Sequence, residues 1–286
     1  MNYSKPYFDT EASKYVEEVV RRAGSSFYWA MRRLPKNKRL AMYAIYAFCR
    51  EIDDLADEAG EVKDKLAGLD KWRGEIELLY SDRPGNAVTS ALLGAVKDFG
   101  LDKNDFCAVI DGMEMDAQIR VRIPDMKKLT LYCDRVACAV GRLSVRVFGL
   151  DDETGRALAF AQGQALQLTN ILRDIEEDAR NDRLYIPNEL LVSCGINNED
   201  LGEILNHPAF EKVCEILAFD AGNYFDKADE LAAECDAKII RPAVMMMEIY
   251  RRIFLRLKLR GWRNLSQSVA LGKLHKFWLA CRYGFF

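Results

Sequence analysis

Helical periodicity extends over nearly all of this 286-residue chain and restricts its fold more than any other feature. Apolar residues recur at three- and four-residue intervals, whereas few segments alternate as strands do. Pro and Gly interrupt the pattern, as turns between helices require. We therefore predict an all-α protein with helices at about 11–33, 36–59, 65–80, 87–98, 103–119, 126–148, 152–178, 199–205, 209–235, 240–260 and 267–281.

Composition sets limits on the class of protein. Half of the residues are hydrophobic, which is enough for a large core, and no shift in composition marks a linker, so we expect one domain over residues 1–286. The net charge of −3 and the absence of zinc-finger, Walker or Gly-rich dinucleotide motifs argue against nucleic acid as a partner. No apolar run reaches the length of a membrane-spanning helix, and a cytoplasmic location is expected.

Two aspartate clusters carry the chemistry that the sequence predicts. Asp53 and Asp57 are four residues apart within one helical pattern, and Asp174 and Asp178 within another. Residues four apart share a helix face, so each pair brings two like charges together, which is costly unless a cation lies between them. Mg²⁺ suits such oxygen ligands and keeps positions open for substrate phosphates, so the clusters favour a metal–diphosphate site.

The residues around the clusters support this interpretation over the ordinary one, in which acidic runs are solvated helix faces with ion pairs. Gln167, Asn170 and Asp174 form a polar stripe on an otherwise apolar segment. Arg50 precedes the first cluster, and Arg173 is adjacent to the second. Each guanidinium is able to bind a carboxylate or a phosphate through two nitrogen atoms.

Two further segments have predicted roles. Residues 180–187, which follow the second cluster, are polar and end in proline, which favours a loop over the site, although an ordinary connection between helices remains an alternative. Residues 249–286 contain nine Lys or Arg and no Asp or Glu, with aromatic residues between them. This pattern favours either peripheral contact with a membrane surface or a basic substrate-facing segment whose aromatic residues complete the core.

With both clusters in place, the chain resembles the squalene and phytoene synthase family nearly end to end. The resemblance is carried, in order, by Ser25–Tyr28, Tyr43–Arg50 with the first cluster, Asp111–Asp116, Tyr132, Gln167–Asp174 and Arg183–Pro187. The amino-acid sequences of several of these segments are most similar to the bacterial presqualene diphosphate synthase branch of the family. Two positions depart from the family pattern and concern the shape of the loop and the width of the pocket: Asp182, where Gly is usual, and Cys138, where a small residue is usual.

The resemblance implies an isoprenoid synthase helical bundle with a central active-site cavity. It implies an Mg²⁺-dependent prenyltransferase that condenses two farnesyl diphosphates head to head, releases one diphosphate and forms presqualene diphosphate for squalene and hopanoid synthesis. Farnesyl diphosphate would be the substrate. Several Mg²⁺ ions would be the cofactor, and NADPH would not be needed. Downstream pathway enzymes would be further partners.

The resemblance also implies site residues. The metal ligands would be Asp53, Asp57, Asn170, Asp174 and Asp178. The catalytic residues would be Tyr46, Arg50, Tyr132, Arg173 and Tyr185. The substrate-binding residues would be Ser26, Arg50, Gln167, Asn170, Arg173, Arg183 and Tyr250. The hydrocarbon tunnel would be lined by Ala137, Val140, Gly141, Leu143 and Leu166.

Three alternatives remain open, and the first two share every aspartate named above. The first is a squalene synthase that continues with NADPH. The second is a phytoene or dehydrosqualene synthase of carotenoid synthesis. The third is an inactive relative that acts as an assembly partner, although such a protein is expected to have lost carboxylates.

Overall fold

The computed structural model describes residues 10–24, 28, 31–150, 153–267 and 269. Helices occupy most of this part of the chain, which confirms the predicted all-α class. In chain order they are α1 Thr10–Ala23, α2 Lys36–Asp57, α3 Val62–Tyr80, α4 Ala87–Phe99, α5 Lys103–Asp116, α6 Met126–Cys133, α7 Ala139–Phe148, α8 Glu153–Arg180, α9 Asn188–Ser193, α10 Leu201–Leu205, α11 Phe210–Ala233 and α12 Ala237–Arg260. No helix among these is long and apolar enough to cross a membrane.

Several boundaries differ from the prediction for local reasons. The helix predicted at 11–33 ends at Ala23, because Gly24 adopts a left-handed φ of +58°. The short helix α9 was not predicted; it follows Pro187, a residue that favours helix starts. Most of the predicted helix 267–281 lies outside the described residues.

The helices form two apolar clusters. One is built mainly from α6, α8, α11 and α12, and includes Leu168, Leu172 and Phe225. The other is built mainly from α1 to α5 and α7, and includes Phe48 and Phe106. Because α2 contributes to one cluster and α8 to the other, the two aspartate-bearing helices belong to different halves of the core.

The predicted helix 126–148 is interrupted by a π-helical turn, Asp134–Cys138, between α6 and α7. A π turn adds a residue to the helix and changes the register of the side chains on either side. The turn packs against α8 where Gly163 leaves space: a Cβ there would lie 2.7 Å from Cys138 Cα and 2.8 Å from its backbone nitrogen. The thiol of Cys138, one of the departures from the family pattern, donates to the Phe160 carbonyl at 3.3 Å.

The segment 180–187 is more ordered than the predicted loop. Helix α8 continues to Arg180, and strand β2 (Arg183–Leu184) pairs in parallel with strand β1 (Val121–Arg122). Asp182 precedes β2 with φ +54°, a left-handed conformation that explains the usual Gly at this position. Its carboxylate and carbonyl oxygens both accept hydrogen bonds from Arg122, so the chain is fixed at this point.

Gly163 provides a test of the contact between α8 and the π turn. We expect Gly163→Ala to lower the free energy of unfolding by about 1–3 kcal/mol, because backbone atoms of Cys138 cannot move away without shifting the turn. Gly222→Ala on α11 is the matched control, since its new Cβ meets nothing within 4 Å. The free energy of unfolding of that variant should rise by about 0.5–1 kcal/mol, because alanine lowers the backbone entropy of the unfolded chain. Urea unfolding measures both; equal effects would contradict this account of the packing.

Candidate active site

A polar cavity of about 1080 Å³ lies where α2, α8 and β2 meet. Three of the four predicted aspartate ligands line it: Asp57, Asp174 and Asp178. Arg173 and Arg183, both predicted to bind substrate, line the same space. The structure therefore brings together groups that are more than 100 residues apart in the sequence.

The first aspartate pair lies at the C-terminal end of α2. Arg183 Nη1 donates to Asp57 Oδ1 at 2.8 Å, which links this helix to β2. Partial burial and the neighbouring charge of Asp57 raise the pKa of Asp53 to about 6. Arg50 forms an ion pair with Asp54 at 2.5 Å and lies 3.5 Å from Asp53, but it does not line the polar cavity.

The second pair lies near the C-terminal end of α8. Arg173 holds the carboxylate of Asp174 through two nitrogen atoms, at 2.7 and 2.5 Å. Burial and the charge of Asp174 raise the pKa of Asp178 to about 7. Each pair thus contains one carboxylate, Asp53 or Asp178, whose negative charge is only partly compensated, as its raised pKa indicates.

The donor set fits Mg²⁺. Besides the four carboxylates, Asn170 has a buried Oδ1 without a hydrogen-bond partner, one turn before Asp174. Buried carbonyl oxygens are nearly always paired, so this atom is suited to a ligand or metal-bound water. Within the described ranges, no three His, Cys, Asp or Glu residues come close enough to hold an ion alone. Ions here would therefore need phosphate oxygens or water as further ligands, the usual coordination of Mg²⁺.

A second, apolar cavity of about 320 Å³ lies beside the polar one. Gln167 and Asn170 on α8 line it together with Tyr46 and Tyr250, all four of which were predicted site residues. From Asn170 it extends along α8 to Ala159, a distance of about 16 Å. Of the predicted tunnel residues, Ala137, Val140, Gly141 and Leu166 line this cavity. Leu143 does not line this cavity, contrary to the prediction, and its side chain packs in the core of the α1–α5 half instead.

Tyr132 and Tyr185 meet at a residue that the sequence analysis did not select. Both hydroxyls donate to the carboxylate of Asp116, at 3.1 and 2.7 Å respectively, and the two rings stack 4.8 Å apart. Asp116 ends α5 and is only 7% exposed. Neither tyrosine lines either cavity directly. The only sequence signal for Asp116 was its place in the Asp111–Asp116 segment, because its contacts join distant parts of the chain.

Lys65 is a second residue that the sequence analysis missed. It lines the polar cavity, and its Nζ donates to the Ala56 carbonyl at the end of α2, at 2.7 Å. The three arginines that line the cavity each pair with a carboxylate, whereas Lys65 has no carboxylate partner among the described residues. Ser26, predicted to bind substrate, lies outside the described residues.

The helical bundle, with carboxylates of both aspartate pairs lining a polar cavity and an apolar cavity beside it, defines an isoprenoid diphosphate synthase fold. The chain belongs to the squalene/phytoene synthase family, whose model matches residues 20–275.

Curated relatives agree with this family. The chain is 44% identical to the presqualene diphosphate synthase of Sinorhizobium fredii over 96% of this chain and 98% of the relative. It is 42% identical to the presqualene diphosphate synthase of Zymomonas mobilis over 96% of this chain and 94% of that protein. Phytoene synthase 1 of Arabidopsis thaliana is 31% identical over 93% of this chain and 64% of its own length.

Solved structures show the same fold. A dehydrosqualene synthase in complex with ligand superposes with a TM-score of 0.82 at 26% identity, covering 96% of this chain and 95% of that one. The squalene synthase HpnC from Alicyclobacillus acidocaldarius gives a TM-score of 0.77 at 25% identity, covering 90% and 95%.

The raised pKa of Asp178 predicts a pH-dependent cost to the metal-free protein. A carboxyl whose folded pKa of about 7 exceeds its unfolded value stabilises the fold below about pH 4 and loses this contribution as the pH rises through 7. At pH 8 without metal, we expect Asp178→Asn to gain about 1–2 kcal/mol of unfolding free energy, after allowance for solvent screening. Glu177→Gln, at an exposed neighbouring position, should change it little. Thermal unfolding in EDTA at pH 5 and 8 would show the difference, and a loss at pH 8 would contradict it.

The position of Lys65 in the polar cavity predicts that its charge contributes to diphosphate binding. Lys65→Gln keeps a donor for the Ala56 carbonyl but removes the charge, so we expect the affinity for inorganic pyrophosphate with Mg²⁺ to fall about three- to tenfold. Lys65→Arg should retain most of it. Lys63→Gln, an exposed lysine on the same helix, is the matched control. Calorimetry measures all three, and an unchanged affinity for Lys65→Gln would show that the lysine only caps α2.

Proposed function

We propose that this chain condenses two molecules of farnesyl diphosphate head to head, releases one diphosphate, and stops at presqualene diphosphate, which feeds squalene and hopanoid synthesis. The observation that carries this proposal is that α8 lines both cavities. Gln167 and Asn170 lie at the boundary of the apolar cavity, and Asp174 and Asp178 line the polar one. A diphosphate and its hydrocarbon chain can therefore occupy adjoining spaces. The high identity to presqualene diphosphate synthases supports the choice of product.

Magnesium ions would be held by Asp53, Asp57, Asp174 and Asp178, with Asn170 as a further oxygen ligand. When bound, Mg²⁺ supplies the positive charge that lets the diphosphate leave as the allylic C–O bond ionises. Arg173 and Arg183 already lie in the polar cavity and would turn toward diphosphate oxygens, with Arg50 and Ser26 contributing from its edge.

The apolar cavity would protect the farnesyl cation. Its lining is largely aliphatic, so water that would quench the cation is kept out. Tyr46 and Tyr250, where this cavity meets the polar one, would orient the first carbon of the chain. The double bond of the second chain then attacks the cation, and loss of a proton closes a cyclopropane. We propose that residues 1–286 act as one domain in this reaction.

Product analysis tests the proposal. Wild-type protein incubated with farnesyl diphosphate and Mg²⁺ but no NADPH should accumulate presqualene diphosphate, detected by mass spectrometry, and addition of NADPH should not change the product. Squalene that appears only with NADPH would replace the proposal by a full squalene synthase. Turnover of geranylgeranyl diphosphate alone would replace it by a phytoene synthase.

The carboxylate pairs can be tested together. Asp53→Asn combined with Asp174→Asn should lower turnover by about 100-fold or more, and chelation of Mg²⁺ should abolish it in the wild type. Glu51→Gln is the control on α2, because Glu51 accepts a hydrogen bond from the Tyr15 hydroxyl of α1 at 2.8 Å and lines neither of the two cavities. Retained activity in the double variant would contradict the metal-site argument.

We also propose a peripheral membrane contact through residues 249–286. On α12, the Leu255 and Leu259 side chains are 50% and 86% exposed, next to the exposed Arg256 and Lys258. Apolar side chains among basic ones suit an anionic lipid surface, where a lipid-soluble product could be released to downstream pathway enzymes.

Vesicle co-sedimentation tests this contact. Leu255→Ser with Leu259→Ser should weaken binding to anionic vesicles about tenfold through loss of buried apolar area. Val192→Ser, a 47% exposed apolar position on α9, should have little effect. Equal binding by all three proteins would exclude this helix face.

A further inference from the structure

A third cavity, of about 310 Å³, lies between α6, α8 and α11. Gln164 and Leu168 line it from α8, whereas Leu166 and Asn170 line the apolar cavity. Each residue turns a helix by about 100°, so these two pairs lie on opposite faces of α8. Pockets for small organic ligands begin at about 300 Å³, whereas a water molecule takes up about 30 Å³. The third cavity is therefore large enough for a small organic molecule and separate from the spaces assigned to the reaction.

Asp220 supplies the only charged side chain in the lining of this cavity, as far as the structure describes the chain. No hydrogen bond or ion pair reaches its carboxylate from a described residue. Burial raises the pKa of Asp220, and no neighbouring cation opposes that rise. Four other carboxylates of the same helix each pair with a Lys or Arg: Glu211, Glu215, Asp229 and Glu230. The negative charge in the cavity therefore has no partner of its own within the described ranges.

The polar groups opposite Asp220 have already used their donors. Gln164 is only 1% exposed, and its Nε2 donates to the Thr130 carbonyl at 3.0 Å and lies 3.6 Å from Cys138 Sγ. Its Oε1 accepts no hydrogen bond from the described part of the chain. The Thr130 hydroxyl donates to the Met126 carbonyl at 2.9 Å, which leaves its lone pairs free. Because buried amide oxygens are nearly always paired, this wall suits a ligand that donates hydrogen bonds.

The rest of the wall combines apolar side chains with two groups that both donate and accept. The apolar part consists of Met126, Leu129 and Leu168. Asn223 and Tyr224 follow Asp220 by three and four residues, so they share its face of α11. Burial and the charge of Asp220 raise the pKa of Tyr224, so its phenol stays neutral. A ligand that fits this wall has a positive, donor-rich end and a short hydrocarbon body.

We propose that the third cavity is a binding site for a small primary alkylammonium ion. Its three N–H donors match the Asp220 carboxylate, Gln164 Oε1 and the Thr130 hydroxyl oxygen, and its alkyl chain packs against the apolar part of the wall. A bare metal ion fits less well, because one carboxylate among neutral oxygens holds it weakly and the apolar part stays empty. The inference does not rest on the proposed function, because the site shares no lining residue with the polar or the apolar cavity.

Titration of the full-length protein with butylammonium chloride, followed by calorimetry, tests the proposal. We expect saturable binding at one site. Butanol has the same hydrocarbon chain without the charge, and ammonium chloride has the charge without the chain. Each should bind at least about tenfold more weakly than butylammonium, because each lacks one of the two matching parts. Butanol that binds as tightly as butylammonium would overturn the proposal.

Methyl NMR on the wild type locates the bound probe. The Met126 methyl signal, from the third cavity, should shift during the titration, whereas the Met246 signal, from the apolar cavity, should not. A shift of Met246 with Met126 unchanged would place the alkyl chain in the apolar cavity and overturn the proposal. This measurement needs no variant, so it decides the matter even if a substituted protein fails to fold.

Two asparagine substitutions on α11 test the role of the charge. Asp220→Asn should weaken butylammonium binding about tenfold or more, because it removes the negative partner of the ammonium group. Asp226→Asn is the matched control, since this carboxylate is exposed, lines none of the three cavities, and changes the net charge equally when it is lost. It should retain wild-type affinity. Equal affinity of the two variants, or no saturable binding by the wild type, would overturn the proposal.

Discussion

The main constraint on this structure is the negative charge of the carboxylates at the ends of α2 and α8, two helices that belong to different halves of the core. Like-charged carboxylates at the ends of α2 and α8 repel each other, and partial burial adds to the cost. Arg183 offsets part of this by binding the Asp57 carboxylate and the Asp116 carbonyl together. The raised pKa values of Asp53 and Asp178 show that compensation is incomplete. That residual cost is what a metal–diphosphate ligand would relieve.

Close backbone contacts hold the parts of the chain that carry Tyr132 and Arg183. The π turn at Asp134–Cys138 sits against Gly163, and strand β2 sits against β1 with Asp182 held by Arg122. These features set the positions of Tyr132 before the turn and Arg183 within β2. A site that handles a reactive cation needs such pre-organisation, because catalytic groups cannot search for their positions during the reaction.

The two cavities divide the chemistry by polarity. Carboxylates and guanidinium groups line the space for diphosphate, and mostly aliphatic side chains line the space for hydrocarbon. The long helix α8 serves both, because its Gln167, Asn170, Asp174 stripe continues from one cavity into the other. Membership of the squalene/phytoene synthase family agrees with this division.

The sequence by itself determined the all-α class, most helix positions and the two aspartate pairs, because helical periodicity and four-residue spacing are local properties. It also indicated Gln167 and Asn170, which lie on the same stripe. Only the tertiary structure decided that Asp116 joins Tyr132 to Tyr185, that Lys65 lines the polar cavity, and that residues 180–187 contain a paired strand. The sequence misplaced Leu143 as a tunnel residue, because the face of α7 that lines the apolar cavity carries Val140, Gly141 and Ser144, and Leu143 lies off this face in the core. These contacts join residues distant in the chain, and no local pattern encodes which distant partner a buried carboxylate or a two-residue strand will meet.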